Sequence, residues 1–281
     1  MSSATSTRAG TEWEIDQVDL DAYLARIGHH RVPPTLAALH GLTRAHTLAI
    51  PFENVDVVLG THRGLGLREI TDKMVHRRRG GYCFEHALLF AAVAEQLGYR
   101  VRRLMARVQP RRAGGPRTHM VLAVTPTDTD GLPHLVDIGF GAGMIAPMPL
   151  RDGALVDQAG WPHQLARTAD GLWTLAKLDD GDWQVMHEFD ETEQRLIDYE
   201  VAHHYTSTHP HSPFVGRLVV MRLADGVVRR MVGDQLTVEH ADGRAERTPV
   251  SLERLGEVLR ELGVQLDPAE LAELRARVGC S

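Results

Sequence analysis

Cys83 sits in Arg79-Gly80-Gly81-Tyr82-Cys83-Phe84-Glu85, directly behind a Gly-Gly break and directly ahead of a long apolar run, residues 86–97. The run holds Leu88, Leu89, Phe90, Ala92, Val93 and Leu97, long enough and helix-forming enough to be a buried helix. Cys83 then falls in the first turn, where free N–H groups and the positive end of the helix dipole favour a thiolate. A thiolate is the nucleophilic form of the side chain, so covalent catalysis is the chemistry this position suits. Position alone leaves open the plainer reading, a small hydrophobe beside a buried helix.

A cysteine nucleophile needs a base within hydrogen-bond reach, and the base needs an acceptor on its other nitrogen. His119 opens an apolar segment, Thr118-His119-Met120-Val121-Leu122, just after a loop. A strand end holds an imidazole rigidly while leaving its tip at a surface. Asp137 interrupts Leu135-Val136-Asp137-Ile138, and a buried carboxylate there demands a partner. If the two strands pair across the turn at 128–131, His119 and Asp137 become neighbours on one sheet. Alone, each reads equally well as structural. With Cys83 they form a nucleophile, a base and an orienter, and the backbone N–H of Cys83 is one donor for an oxyanion.

The elements that must position them fall into three stretches. Residues 19–27, 35–48 and 68–77 carry apolar side chains at helical spacing, and Gly98 stops the Cys83 helix. Beyond it the pattern turns to strands over 100–108, 119–124 and 134–140, with a loop at 110–116. A hairpin, 173–178 with 183–189, turns on Asp179-Asp180-Gly181-Asp182. A stretch rich in His, Thr, Ser and Pro runs from 198 to 214, and a meander over 218–239 turns at Asp225-Gly226 and Gly233-Asp234. Two helices close the chain. One starts at Ser251 with Leu252, Leu255, Leu259 and Leu262 inward; the other starts at Asp267-Pro268, capped reciprocally by Asp267 and Glu270. The expected division is 1–99, 100–200 and 201–281.

The whole chain narrows the function classes. Its 281 residues can bury a sizeable core, and a net charge of −6 argues against a general nucleic-acid binder. Arg77 to Arg79, Arg102, Arg103, Arg107, Arg111, Arg112 and Arg117 make the second quarter basic, either a solvated face or a landing surface for a phosphorylated ligand. Cys83 and Cys280 are the only cysteines, too differently placed to suggest a structural disulfide. Residues 1–13 are polar, so no secretory signal is expected, and no run has membrane-spanning length. A reducing cytoplasm is the expected setting. His203-His204 and His209-x-His211 lack a Cys or carboxylate set at ligand spacing, so no metal is expected. A homo-oligomer stays open.

The segment from Arg79 to Glu85 resembles the signature of the arylamine N-acetyltransferases. Ile50-Pro51-Phe52-Glu53-Asn54, Thr118-His119, Val136-Asp137-Ile138-Gly139-Phe140-Gly141 and the block from Tyr205 through Thr208, Pro210, Ser212 and Phe214 resemble further markers of that family, in the same order. The resemblance implies an α+β fold: a helical N-terminal lobe, a central β-barrel lobe and a C-terminal α/β lid around a cysteine-protease-like Cys-His-Asp core. It implies a ping-pong reaction in which acetyl-CoA acetylates Cys83 and an arylamine or hydrazine then attacks the thioester. Acetyl-CoA is a substrate in this scheme, with no permanently bound cofactor. It further implies an acceptor pocket near Phe52, Phe84, Phe140 and Phe214, and a CoA side near Thr118, Gly139, Gly141, Thr208 and Ser212. One departure is Ala87, where the family commonly carries Asn. It bears on acceptor choice more than on the triad.

Three other readings share these residues. An amide synthase of the same fold would take a polyketide-type acyl chain from a carrier-protein thioester to an aromatic amine. A peptidase or transglutaminase would use the same Cys, His, Asp order on peptides. A non-enzymatic homologue would bind ligand without a covalent adduct.

Overall fold

The computed structural model describes residues 12–109, 115–141 and 143–279. The helix Leu20–Ile27 starts where the Asp19 side chain accepts the Ala22 N–H at 2.9 Å, and Leu36–Ala49 starts where Thr35 accepts from Ala38 at 3.2 Å. The turn or two expected over 68–77 are an α-turn over Leu67–Thr71 and a wider π-type turn over Asp72–His76. Cys83–Gln96 is the central helix, with residues 83 to 94 all buried, as its nearly continuous apolar sequence requires.

Strand β1 (Phe52–Glu53) comes from this helical stretch. Then follow β2 (Arg100–Val108), β3 (His119–Thr125), β4 (His134–Val136), β5 (Met148–Pro149), β6 (Ala154–Asp157), β7 (Pro162–Arg167), β8 (Trp173–Asp179) and β9 (Asp182–Phe189). These eight make one antiparallel sheet in the order β5-β4-β3-β2-β9-β8-β7-β6. Its edge strands β5 and β6 are consecutive in the chain, which curls the sheet into a nearly closed barrel. The interior is filled by Leu104, Val121, Leu135, Met148, Leu165, Trp173, Leu175 and Phe189. Strand β3 is buried on both faces: Val121 and Ala123 point into the barrel, while Met120, Leu122 and Val124 pack on the Cys83 helix.

A third part carries β10 (Val219–Ala224), β11 (Val227–Val232), β12 (Gln235–His240) and β13 (Ala245–Pro249), with β1 added at the β10 edge. The helices Leu255–Glu261 and Pro268–Gly279 pack on this sheet through Leu255, Val258, Leu259 and Leu274. Asp267 caps the second as expected, accepting the Glu270 N–H at 2.8 Å. Leu252, expected inward, is 42% exposed, because the first helix begins three residues later. The stretch after 195 holds a helix that the sequence did not suggest, Leu196–Thr208. No helix among the described residues is long and apolar enough to cross a membrane.

Two buried polar assemblies brace the start of the Cys83 helix. In one, Tyr23 OH donates to His46 Nδ1 (2.8 Å), His46 Nε2–H to His86 Nδ1 (2.8 Å), and His86 Nε2–H to the Pro51 carbonyl (3.2 Å). Burial pushes both imidazoles down, His86 to about 4, so the chain is neutral. In the other, Lys73 lies 3.0 Å from both Glu85 and Asp56, and Arg79 lies 2.8 Å from Glu53 and 3.1 Å from Asp56. Glu85 also accepts the Tyr82 N–H at 3.0 Å, which caps the helix.

Candidate active site

Cys83 is the first residue of its helix, after the extended Tyr82. Its N–H is therefore one of the first-turn donors with no partner inside the helix. Glycine fixes what lies over it. A Cβ on Gly139 would stand 2.8 Å from both Cys83 Cα and the Cys83 carbonyl oxygen, so only a glycine lets the loop after β4 rest on the helix start. That loop carries Asp137, which lies just past the strand end rather than inside a strand running to 140. The Cys83 sulfur lies 3.8 Å from the Thr118 carbonyl, at the entry to β3.

His119 opens β3, and its strand pairs with β4 through Leu122 and Val136 as the sequence suggests. Its Nε2–H donates to Asp137 Oδ1 at 2.9 Å. The second carboxylate oxygen, Oδ2, accepts the Nε2–H of His187 at 2.8 Å. His187 had no part in the sequence reading. It is inward on β9, opposite Val108 of β2 and Leu175 of β8, and is fully buried. Its signal was a lone histidine in the alternation Val185, His187, Phe189, which resembles any inward strand face.

Burial would lower the His119 pKa, but the charge and hydrogen bond of Asp137, with a further contribution from Cys83, raise it to about 10. For Asp137 burial acts upward, yet the two imidazoles, His119 first, hold its carboxyl well below the usual range. His187 goes the other way: burial lowers it, and Asp137 only partly offsets this. One carboxylate thus holds two rings, of which His119 takes the charge. With Nε2 committed to Asp137, Nδ1 is the His119 atom left to exchange a proton with Cys83.

These groups open onto a cavity of about 210 Å³, walled by Phe52, Cys83, Val108, Gly115, Pro116, Thr118, His119, Gly139, Phe140, Tyr205, Thr206, Ser212, Pro213, Phe214 and Met221. Larger hollows near Leu255 and Leu271 lie away from this chemistry. Of the residues the resemblance implies, Phe52, Phe140, Phe214, Thr118, Gly139 and Ser212 are at the wall. Phe84, Gly141 and Thr208 are not. Phe84 follows Cys83 by one residue, about 100° around the helix, and packs against Tyr82 and Tyr199. Gly141 faces Met221 with φ +71°, and Thr208 ends its helix exposed, bonded to the His204 carbonyl. Ala87 packs in the apolar core.

The markers outside the triad do structural work. Asn54 donates to the carbonyls of Phe214 (2.9 Å) and Arg217 (2.8 Å) and accepts the Val219 N–H (2.7 Å), tying the cavity wall to β1. Ser212 OH donates to the Thr206 carbonyl. The basic second quarter is largely neutralised: Arg102, Arg103, Arg107 and Arg117 pair with Glu191, Glu95, Glu188 and Asp190. Arg111 and Arg112, like Cys280, lie outside the described residues. His203 meets Tyr82 and His62, and His209 stacks on Tyr205 at 4.3 Å.

Residues 35–271 match the family profile described as N-acetyltransferase. The arylamine N-acetyltransferase of Mycolicibacterium smegmatis is 37% identical over 270 residues, covering 93% of this chain and 97% of that protein. The chain belongs to the arylamine N-acetyltransferase family. Solved arylamine N-acetyltransferases share its fold. The Nocardia farcinica enzyme superposes with a TM-score of 0.88 at 39% identity, over 94% of this chain and 95% of that one. The Mycobacterium marinum enzyme in complex with CoA superposes at 0.83 and 35%, over 92% and 98%. The chain is accordingly an acetyltransferase with the helical, barrel and lid architecture of that family.

Proposed function

We propose that Cys83 carries an acetyl group from acetyl-CoA to an arylamine or hydrazine in a ping-pong reaction. The observation that carries this reading is Cys83 and His119 at the wall of an apolar cavity, with Asp137 buried behind His119 and bonded to its Nε2–H at 2.9 Å. In the resting site the proton sits on the imidazole. The Cys83 thiolate attacks the thioester carbonyl, the developing oxyanion meets the first-turn N–H of Cys83, and the bond to the CoA sulfur breaks. The departing sulfur takes the His119 proton and leaves as CoA. An arylamine, unprotonated at neutral pH, then attacks the acetyl-cysteine. His119 removes its proton as the new C–N bond forms, and Cys83 leaves as a thiolate.

Phe52, Phe140 and Phe214 supply the flat apolar walls that an aromatic acceptor needs, while Thr118, Gly139 and Ser212 border the donor's approach. The CoA bound by the M. marinum relative supports the donor, and the names of the relatives support the acceptor. We take the chain as three lobes, residues 1–99, 100–200 and 201–281, with β1 lent by the first to the third. A reducing, cytoplasmic setting keeps Cys83 unoxidised.

Acetyl-CoA without amine should release a burst of CoA equal to the enzyme present, and adding arylamine should give parallel double-reciprocal lines. Intersecting lines with no burst would remove the acetyl-cysteine route.

A further inference from the structure

Asp137 has a second buried titratable partner besides His119. His187 is fully buried, and its Nε2–H meets Asp137 Oδ2 at 2.8 Å, as close as His119 is to Oδ1. Its ring is wedged between Phe140 of the cavity wall, centroids 5.3 Å apart and edge to face, and Phe189 of the barrel interior at 5.8 Å. It lies 5.3 Å from the His119 ring. Its Nδ1 has no hydrogen-bond partner among the described residues.

We propose that His187 is a positioning residue for the acetyl-transfer reaction, a neutral Nε2–H donor that fixes the Asp137 carboxylate so that Oδ1 faces His119. This deepens the function proposed above and rests on it. Asp137 stands on a loop just past the end of β4, where strand pairing does not hold it, so its orientation must come from side-chain bonds. A carboxylate with one partner can rotate about its terminal torsion, whereas one with a donor on each oxygen cannot. His187 is held in turn by the β9 backbone and by the two phenylalanine rings. The partnerless Nδ1 is consistent with this assignment. A charged ring would bury an unpaired N–H donor at Nδ1, while a neutral ring leaves only a weakly demanding lone pair. Burial and the nearby charge of His119 both favour that neutral form. Asp137 can therefore steer one charged ring with the help of one uncharged ring.

The test compares wild type, His187→Phe and His187→Gln for single-turnover acetylation by acetyl-CoA, steady-state kcat and KM, and the kcat/KM pH profile. The Phe variant keeps the packing and removes the donor; its kcat should fall by about 10- to 100-fold, with KM for acetyl-CoA little changed. The Gln variant restores an N–H donor and should recover most of the loss and the wild-type pH profile. A Phe variant with wild-type kcat, or a Gln variant as slow as Phe, overturns the proposal. Nitrogen-15 histidine spectra of the wild type give a readout that needs no active or folded variant but Gln for assignment. His187 should be neutral and protonated at Nε2 at neutral pH and above, and a charged ring or an Nδ1–H tautomer there overturns the proposal. A wild-type protein that takes up no acetyl group removes the transfer reading instead, while the tautomer still decides the contact.

Discussion

Two buried clusters of charge flank the start of the same helix, and they are built differently. On one side Lys73 and Arg79 interlock with Glu53, Asp56, Glu85 and Glu270, each cation within 4.0 Å of three carboxylates. On the other, Asp137 alone serves His119 and His187 beside Cys83. The first cluster pairs charge with charge, reaching out to Glu270 and His62, and Glu85 seals the helix terminus. The second faces a cavity and keeps a ring nitrogen of His119 uncommitted to the carboxylate. Buried charge by itself therefore does not mark the reacting centre. Charge that opens onto an apolar cavity with proton-exchange capacity in reserve does.

The sharpest way to break this contrast is Asp137→Asn. It should leave the fold intact and lower kcat by about 10⁴-fold, because an amide presents a donor where a ring N–H needs an acceptor. A loss of melting temperature with kcat preserved would make Asp137 a structural carboxylate like Glu85. Arg79→Met should do the reverse. It takes the near cation from buried Glu53 and leaves Asp56 only Lys73, so the urea midpoint should report a loss of about 3–5 kcal/mol, with kcat of the folded protein little altered. Gly139→Ala tests the joint between the two regions. Its methyl would press on the Cys83 backbone, so stability should fall by about 1–3 kcal/mol and the rate of Cys83 alkylation by iodoacetamide should change with it.

A further effect is in pH. His119 is raised from 6.5 to about 10, so the stability it contributes is complete below 6.5 and is lost as pH rises through 10. The urea midpoint of wild type should fall relative to His119→Gln over that window, and parallel curves would mean that His119 is uncharged in the fold.

Much of the site was legible because its chemistry is local in sequence. Cys83 advertises itself by a glycine break before an apolar helix, and His119 and Asp137 by strand ends that pair through a short turn. His187 was hidden because its importance comes from β9 lying beside β2, a pairing no local pattern announces. The Leu196–Thr208 helix was hidden for the opposite reason. Its buried face is Tyr199, Ala202 and Thr206, while Ile197 and Val201 are 59% and 67% exposed, so its apolar stripe points the wrong way. Phe84 lies off the cavity wall because the helix turns it about 100° from Cys83, onto Tyr82 and Tyr199.

The central claim is that Cys83 itself carries the acetyl group. Intact-protein mass spectrometry after brief exposure to acetyl-CoA, without amine, tests it most directly. Wild type should gain one acetyl group, lose it when an arylamine is added, and Cys83→Ala should gain none. An unmodified wild type, or an adduct that persists in Cys83→Ala, would contradict the account.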